Sequence, residues 1–235
     1  MLDPRFTYLL LTIPFLAFVA VIFIKRPDLH RFIVKAGILG AITAVVSEVW
    51  YFQDYWRPLN IFGGIAIPSI EDLLFGFGVV ALGATAPLFI LRLKKSSHGS
   101  HGRRNALVAA LIIVATLIVF VSLLHINSMV VSYVIFLVIV GLGLQRYPHL
   151  LKPALLSGLV LVLLASATYA TLFLLDPTYI GKHFLLSGNP LAPTLFGFMP
   201  LTELIWYFSW GMAATVLHDL LNGKKAALTT SKRTA

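Results

Sequence analysis

The chain reads as an all-α, polytopic membrane helix bundle of about seven transmembrane helices, and three observations predict it. Hydrophobic residues make up 59% of the 235 and charged residues only 11%, whereas a soluble domain carries roughly 25% charged residues. The apolar residues gather in runs near the roughly 20 residues that cross a bilayer as a helix. Lys and Arg fall between those runs and are almost absent within them, the pattern that sets membrane orientation.

Seven runs follow in order: Phe6–Ile24, Phe32–Phe52, Ile67–Leu91, Ala106–Leu124, Met129–Leu144, Pro153–Leu175 and Phe196–Leu221. Only Arg5 precedes the first, Lys25 and Arg26 follow it, and no small-residue cleavage site appears, so it is expected to be a retained helix rather than a signal peptide. The second ends in the acidic, aromatic stretch Gln53–Pro58, and the third opens on Phe62-Gly63 and Pro68. Between the third and fourth lies the polar, basic segment Lys94–Arg104, expected to be a solvated linker; its His98 and His101 alone do not make a metal site. The fifth run is short and holds Gly141 and Gly143, the sixth ends at Asp176-Pro177, and the seventh opens on Phe196-Gly197 and Pro200.

Orientation follows from the connections. Lys25, Arg26, Arg31, Lys35, Arg92, Lys94, Lys95, Arg103, Arg104, Arg146, Lys152, Lys224, Lys225, Lys232 and Arg233 fall on one side, against Arg5, Arg57 and Lys182 on the other. The rule that positive charge stays inside then places the N-terminus out and the C-terminus in the cytoplasm. The net charge of +9 is thereby a matter of topology, and nucleic acid is not expected as a partner because no aromatic residues interleave with Lys or Arg. The absence of cysteine excludes disulfides, thiolate metal sites and cysteine nucleophiles.

Pro68-Ser69-Ile70-Glu71 in the third run and Pro200-Leu201-Thr202-Glu203 in the seventh share Pro-x-x-Glu, with an aromatic-Gly pair shortly before each. Two three-helix repeats are expected, 1–95 and 125–222, joined by a basic linker and connecting helix at 96–124 and followed by a basic cytoplasmic tail at 223–235. The connecting helix is what gives both repeats the same orientation.

Of the nine acidic residues, Asp3, Asp28, Asp54 and Asp176 lie at or beyond helix ends, where water is expected to solvate them, and Asp219 lies near Lys224 and Lys225. Glu48, Glu71, Asp72 and Glu203 lie inside apolar runs that hold no Lys or Arg to pair with them. A charge at the bilayer centre costs about 2.5–3.5 kcal/mol on insertion scales, so hydrogen bonding, protonation or proton sharing is needed. Proline suits a first helical turn, and a Glu three residues on stays near the positive end of the helix dipole; two such turns could divide acid and base roles. Aromatic residues cluster around these acids. Trp50, Tyr51, Phe75, Trp206, Tyr207 and Trp210 are candidates for contacting a substrate, while Tyr55 and Trp56 suit an interfacial belt. An acid beside aromatic faces suits protonation of an alkene and shelter of the resulting cation.

No P-loop, Gly-x-Ser-x-Gly or His-Glu-x-x-His occurs, and Gly76-x-Gly78 lies within an apolar helix rather than between strand and helix. His125, His149, His183 and His218 are scattered and expected at interfaces, and the last run lacks the Lys that a retinal Schiff base needs.

Ile67-Pro68-Ser69-Ile70-Glu71-Asp72-Leu73-Leu74-Phe75 resembles the Pro-x-Glu-Glu-x-x-Phe-type motif of the lycopene cyclase domain family, the membrane-integral, flavin-free type of bacteria, archaea and fungi. The opening Arg5-Phe6-Thr7-Tyr8-Leu9-Leu10-Leu11 is similar to the start of such domains. The likeness covers 1–95 best and 125–222 as a second copy, a single-chain two-repeat form. It departs from the family in the shifted Glu71-Asp72 and the lone Glu203. The resemblance implies a non-redox, cofactor- and metal-free isomerase that cyclises the ends of a linear carotenoid such as lycopene to β-rings. Glu71 and Glu203 would lead the acid chemistry, with Asp72 and Glu48 beside them. It also implies a multi-pass place in the cell membrane, a carotenoid or isoprenoid substrate, and a second copy of the chain or carotenoid-pathway enzymes as protein partners. A non-catalytic carotenoid- or lipid-binding protein or accessory subunit is the alternative, and a proton-coupled transporter the third.

Overall fold

The computed structural model describes residues 3–63, 68–93, 102–186 and 192–222. Helices dominate: α1 (Thr7–Lys25), α2 (His30–Asp54), α3 (Ile70–Ile90), α4 (Gly102–Leu117), α5 (Ser128–Arg146), α6 (Leu151–Leu175), the short α7 (Tyr179–His183) and α8 (Leu201–Asn222). A small antiparallel hairpin, β1 (Thr194–Leu195) with β2 (Met199–Pro200), leads into α8. The linker histidines His98 and His101, the residues 64–67 and the tail 223–235 lie outside the described residues.

Five helical stretches are long and apolar enough to cross a membrane: Thr7–Lys25, Pro27–Asp54, Ile70–Ile90, Ser128–Arg146 and Pro148–Leu175. The chain is a helical membrane bundle. The apolar run Leu107–Leu123 is shorter and passes from α4 into a π-helical turn over Ile118–Leu123. Outer faces are as apolar as the interior. On α2, Val34, Ile38, Leu39, Ile42, Val46 and Val49 are all exposed, a stripe that only lipid would solvate comfortably.

Two halves share their dimensions. α1 and α5 each have 19 residues, α2 and α6 each have 25, and a three-residue 3-10 turn opening on proline, Pro27 or Pro148, joins them. The residues closing α1 and α5, Arg26 and Tyr147, have nearly the same backbone angles, φ −134° and ψ 73° against φ −133° and ψ 69°. In the first half α3 packs on α1 and α2, in the second α8 packs on α5 and α6, and α3 meets α6 and α8 between them.

Small residues let these helices approach. A Cβ added to Gly40 on α2 would stand 2.2 Å from the Gly76 carbonyl oxygen on α3, and one added to Gly211 on α8 would stand 2.8 Å from the Gly158 Cα on α6. Lipid offers no hydrophobic drive for helix pairing, so close backbone contact is what holds such pairs.

The helix starts refine the expectation for the two Pro-x-x-Glu turns. Proline was expected in the first turn; instead Pro68 precedes the capping residue Ser69, and Pro200 ends β2 just before α8. Ser69 and Asp72 form a reciprocal capping box, Asp72 N–H donating to Ser69 Oγ at 3.1 Å and Ser69 N–H to Asp72 Oδ2 at 2.7 Å. A hydroxyl outcompetes proline for that place because it supplies an acceptor to an orphaned N–H.

Asp54 also departs from its solvated expectation. Its carboxylate accepts the Ser128 N–H at 2.7 Å and the Ser128 hydroxyl at 2.5 Å, capping α5 from the end of α2. Asp54→Ala is expected to lower stability by about 1–2 kcal/mol, the worth of a lost helix cap. Thermal unfolding in nanodiscs checks this, and an unchanged midpoint would assign the cap to Asn127 alone, whose Oδ1 accepts the Met129 N–H at 3.0 Å.

Candidate active site

All four acids singled out from the sequence are buried: Glu48, Glu71, Asp72 and Glu203 are 6%, 0%, 3% and 6% exposed. Three of them gather at one patch and one faces elsewhere.

Glu203 stands in the first turn of α8, and each of its oxygens accepts a phenol. Oε1 takes the Tyr55 hydroxyl in a short hydrogen bond, and Oε2 takes the Tyr169 hydroxyl at 2.9 Å. Because Tyr55 spends its one proton on Glu203, Thr202 Oγ1 donates to it, at 3.1 Å. Asp72, in the first turn of α3, accepts the Tyr8 hydroxyl at 2.6 Å on the oxygen the capping box leaves free. Glu48, inside α2, accepts the Trp56 indole N–H at 3.2 Å.

Aromatic rings join the three. Tyr8 and Trp56 meet edge to face with centroids 4.7 Å apart. Phe184 lies 5.7 Å from Trp56, 5.5 Å from Tyr55 and 6.2 Å from Tyr169. The donors to Glu48 and Asp72 thus touch each other, Phe184 links them to the donors to Glu203, and Asp72 and Glu203 are near enough to act on Glu48 electrostatically. Glu71 is the exception. Its Oε1 accepts the Ile61 N–H at 2.6 Å, which ties the loop after α2 to α3, and its Oε2 is buried without a partner.

Tyr55 and Trp56, expected in an interfacial belt, are 2% and 6% exposed. The chain leaving α2 is clipped to the chain leaving α7, through a Trp56–Phe184 bridge, Arg57 N–H to the His183 carbonyl at 2.8 Å and Leu185 N–H to the Tyr55 carbonyl at 2.7 Å. His183, expected at an interface, is 6% exposed and its Nδ1 donates to the Arg57 carbonyl at 2.9 Å. Burial holds the His183 pKa below its ordinary value, against the opposing pull of the Arg57 carbonyl and Asp176; nearby Lys182 adds to the lowering. The undocked segment therefore takes up a proton before the docked one. The clip is expected to hold fully above the ordinary imidazole range, near pH 6.5, and to weaken as pH falls through it. Amide exchange over 55–57 and 179–185 reads this, and a His183→Asn protein should lose the pH dependence.

Below the acids runs a column of rings. Phe75 lies 6.3 Å from Tyr8 and 5.9 Å from Phe15, Phe15 stacks on Tyr207 at 5.6 Å, and Phe75 stacks on Trp206 at 6.2 Å. Trp206 stacks on Trp210 at 6.3 Å. Tyr51 joins through its hydroxyl, which accepts the Trp206 N–H at 3.1 Å and donates to Ser132 at 2.7 Å. Five of the six aromatic candidates, Tyr51, Phe75, Trp206, Tyr207 and Trp210, therefore line one column. Trp50 does not: it packs with Leu117, Val121 and Val131 and donates to Ser122 Oγ at 3.0 Å, where α2 meets the π turn.

Tyr8, Tyr169 and Phe184 join the site without having stood out in the sequence. A phenol in an apolar run raises no alarm alone, but Tyr169 had a signal: α2 and α6 are equal in length, and Glu48 and Tyr169 hold the same place in them. Among the described residues no three His, Asp or Glu side chains group as metal ligands would.

Chemically, the patch combines buried carboxyls able to hold or take a proton with ring faces that attract a cation, and among the described residues no Lys or Arg competes for them. None of the protein-family models, curated proteins or solved structures compared with the chain matches it.

Proposed function

We propose that the chain is a multi-pass enzyme of the cell membrane that cyclises the ends of a linear carotenoid such as lycopene to β-rings by acid catalysis. Seven spans with the N-terminus outside, in two three-helix units, form its scaffold; the equal lengths of α1 and α5 and of α2 and α6 support the two units. The observation that carries the reading is the meeting of Glu48, Asp72 and Glu203 around Tyr8, Trp56 and Phe184, with the ring column beneath. The sequence likeness of 67–75 to the cyclase motif supplies the substrate class.

The reaction is an isomerisation and needs no co-reactant. A carboxyl proton adds to the terminal alkene and leaves a tertiary cation. The π electrons of a second alkene along the chain attack that cation, forming the carbon–carbon bond of a six-membered ring and moving the positive charge onto the ring. Loss of a ring proton to a carboxylate restores an alkene. Ring quadrupoles and ionised carboxylates both lower the energy of the cation.

Expression in lycopene-accumulating cells tests this. A monocyclic or bicyclic product supports the proposal, and an unchanged pigment profile counts against it. Binding of pigment without turnover is a second reading, favoured by the capping duty of Asp72, which gives that acid a structural reason to be present. Co-purified, unaltered pigment would support it.

A further inference from the structure

Glu48, Asp72 and Glu203 share one aromatic patch, yet they are supplied with hydrogen-bond donors unequally. Glu203 receives a phenol on each oxygen, and Asp72 receives a phenol on one and a backbone N–H on the other. Both also stand in the first turn of a helix, α8 and α3 respectively, where the dipole favours negative charge. Two donors and a helix N-terminus are what a buried carboxylate needs to stay ionised. Glu48 has neither advantage. Among the described residues its hydrogen bond is the long one from Trp56 to Oε1, and α2 offers it only mid-helix surroundings, nearer the C-terminal end. Three carboxylates this close, with no Lys or Arg among them in the described residues, cannot all ionise without strong mutual repulsion.

We infer that Glu48 carries the proton of the cluster while Asp72 and Glu203 remain ionised, and that Trp56 is the positioning residue that turns the Glu48 carboxyl toward the patch. The inference rests on the reading of this patch as an acid–base centre and sharpens it, because the acid then lies outside both Pro-x-x-Glu turns. In turnover Glu48 gives its proton to the alkene, the two held anions face the cation, and the Glu48 carboxylate recovers a proton from the ring, so that acid and substrate atoms balance in each cycle. Trp56 has no acceptor and cannot relay a proton. Its part is to fix one oxygen of the carboxyl.

Infrared spectroscopy of the full chain in nanodiscs decides the matter without substrate. A protonated carboxyl shows a carbonyl stretch well separated from the bands of ionised carboxylate. The wild-type protein should show such a band from a buried acid; Glu48→Gln should remove it, and Glu71→Gln, Asp72→Asn and Glu203→Gln should keep it. A band that survives Glu48→Gln, or is absent from the wild type, overturns the inference. Glu48→Asp covers the case of a poorly folding Gln variant: the band moves in frequency if this residue owns it and stays unmoved if another does. In lycopene-accumulating cells Glu48→Gln should lower product at least 100-fold, in line with loss of a general acid. Trp56→Phe should lower turnover while leaving the band in place at a shifted frequency. A wild-type chain that shows the Glu48 band but makes no cyclic product sinks the cyclase reading and leaves the proton assignment standing.

Discussion

A protein carrying Tyr55→Phe and Tyr169→Phe together is expected to lose stability by about 3–6 kcal/mol, since each phenol donated to a charged group is worth about 1.5–3 kcal/mol, and to lose most of the cyclising activity proposed for the chain. Phenylalanine keeps both rings against Phe184, so the change removes two hydrogen bonds from Glu203 and little else. A buried carboxylate stripped of its donors takes up a proton when that costs less than staying charged. Proton uptake sets a ceiling on the stability loss and predicts a second symptom, a new protonated-acid band in the infrared spectrum. Each single change should do less than half the damage of the pair, because one remaining phenol still holds the charge. A double variant as stable and active as wild type would mean that Glu203 is already neutral in the native protein.

The second large effect concerns the contact on which two of the acids depend. Gly40→Ala is expected to destabilise the protein by about 1–3 kcal/mol or more, the range for overpacking, because the new methyl would stand 2.2 Å from a backbone oxygen that has no rotamer to change. α2 carries Glu48 and α3 carries Asp72, so any separation of the two helices also opens the patch, and activity should fall along with the melting temperature. Gly141→Ala on α5 is the control. Nothing lies within 4 Å of its added Cβ, and alanine in place of an interior helical glycine stabilises by roughly 0.8–1 kcal/mol. Equal melting temperatures for the two variants would show that α2 and α3 slide apart at no cost.

How much of this was legible in the sequence depended on the distance over which each cause acts. Five of the spans were legible because an apolar run is a local property; the shorter run Leu107–Leu123 and α8, with Glu203 in its first turn, are not among the five stretches long and apolar enough to cross a membrane. Burial of the four acids was legible for the same reason: a carboxylate in an uninterrupted apolar run has no water to face. Their grouping was not. Glu71 stands beside Asp72 in sequence, yet a helix turns successive residues apart by more than a quarter circle, and only one of them meets Tyr8. Tyr55 and Trp56 sit at the end of α2, where an aromatic belt is the ordinary expectation, and nothing nearby announces that Phe184 will close over them. Trp50 erred in the other direction, since its place on the helix turns it toward Ser122.

The clip between the end of α2 and the end of α7 has a consequence for the chain as a whole. Glu203 draws one of its two phenols from its own half, through Tyr169, and the other from the opposite half, through Tyr55. Neither half by itself can therefore present Glu203 with both of its phenols. If the polypeptide were divided between α3 and α4 and the fragments made as separate molecules, each would be inert, and docking at the clip would restore the missing phenol. Function would then report assembly, switching on only where both partners occupy the same bilayer.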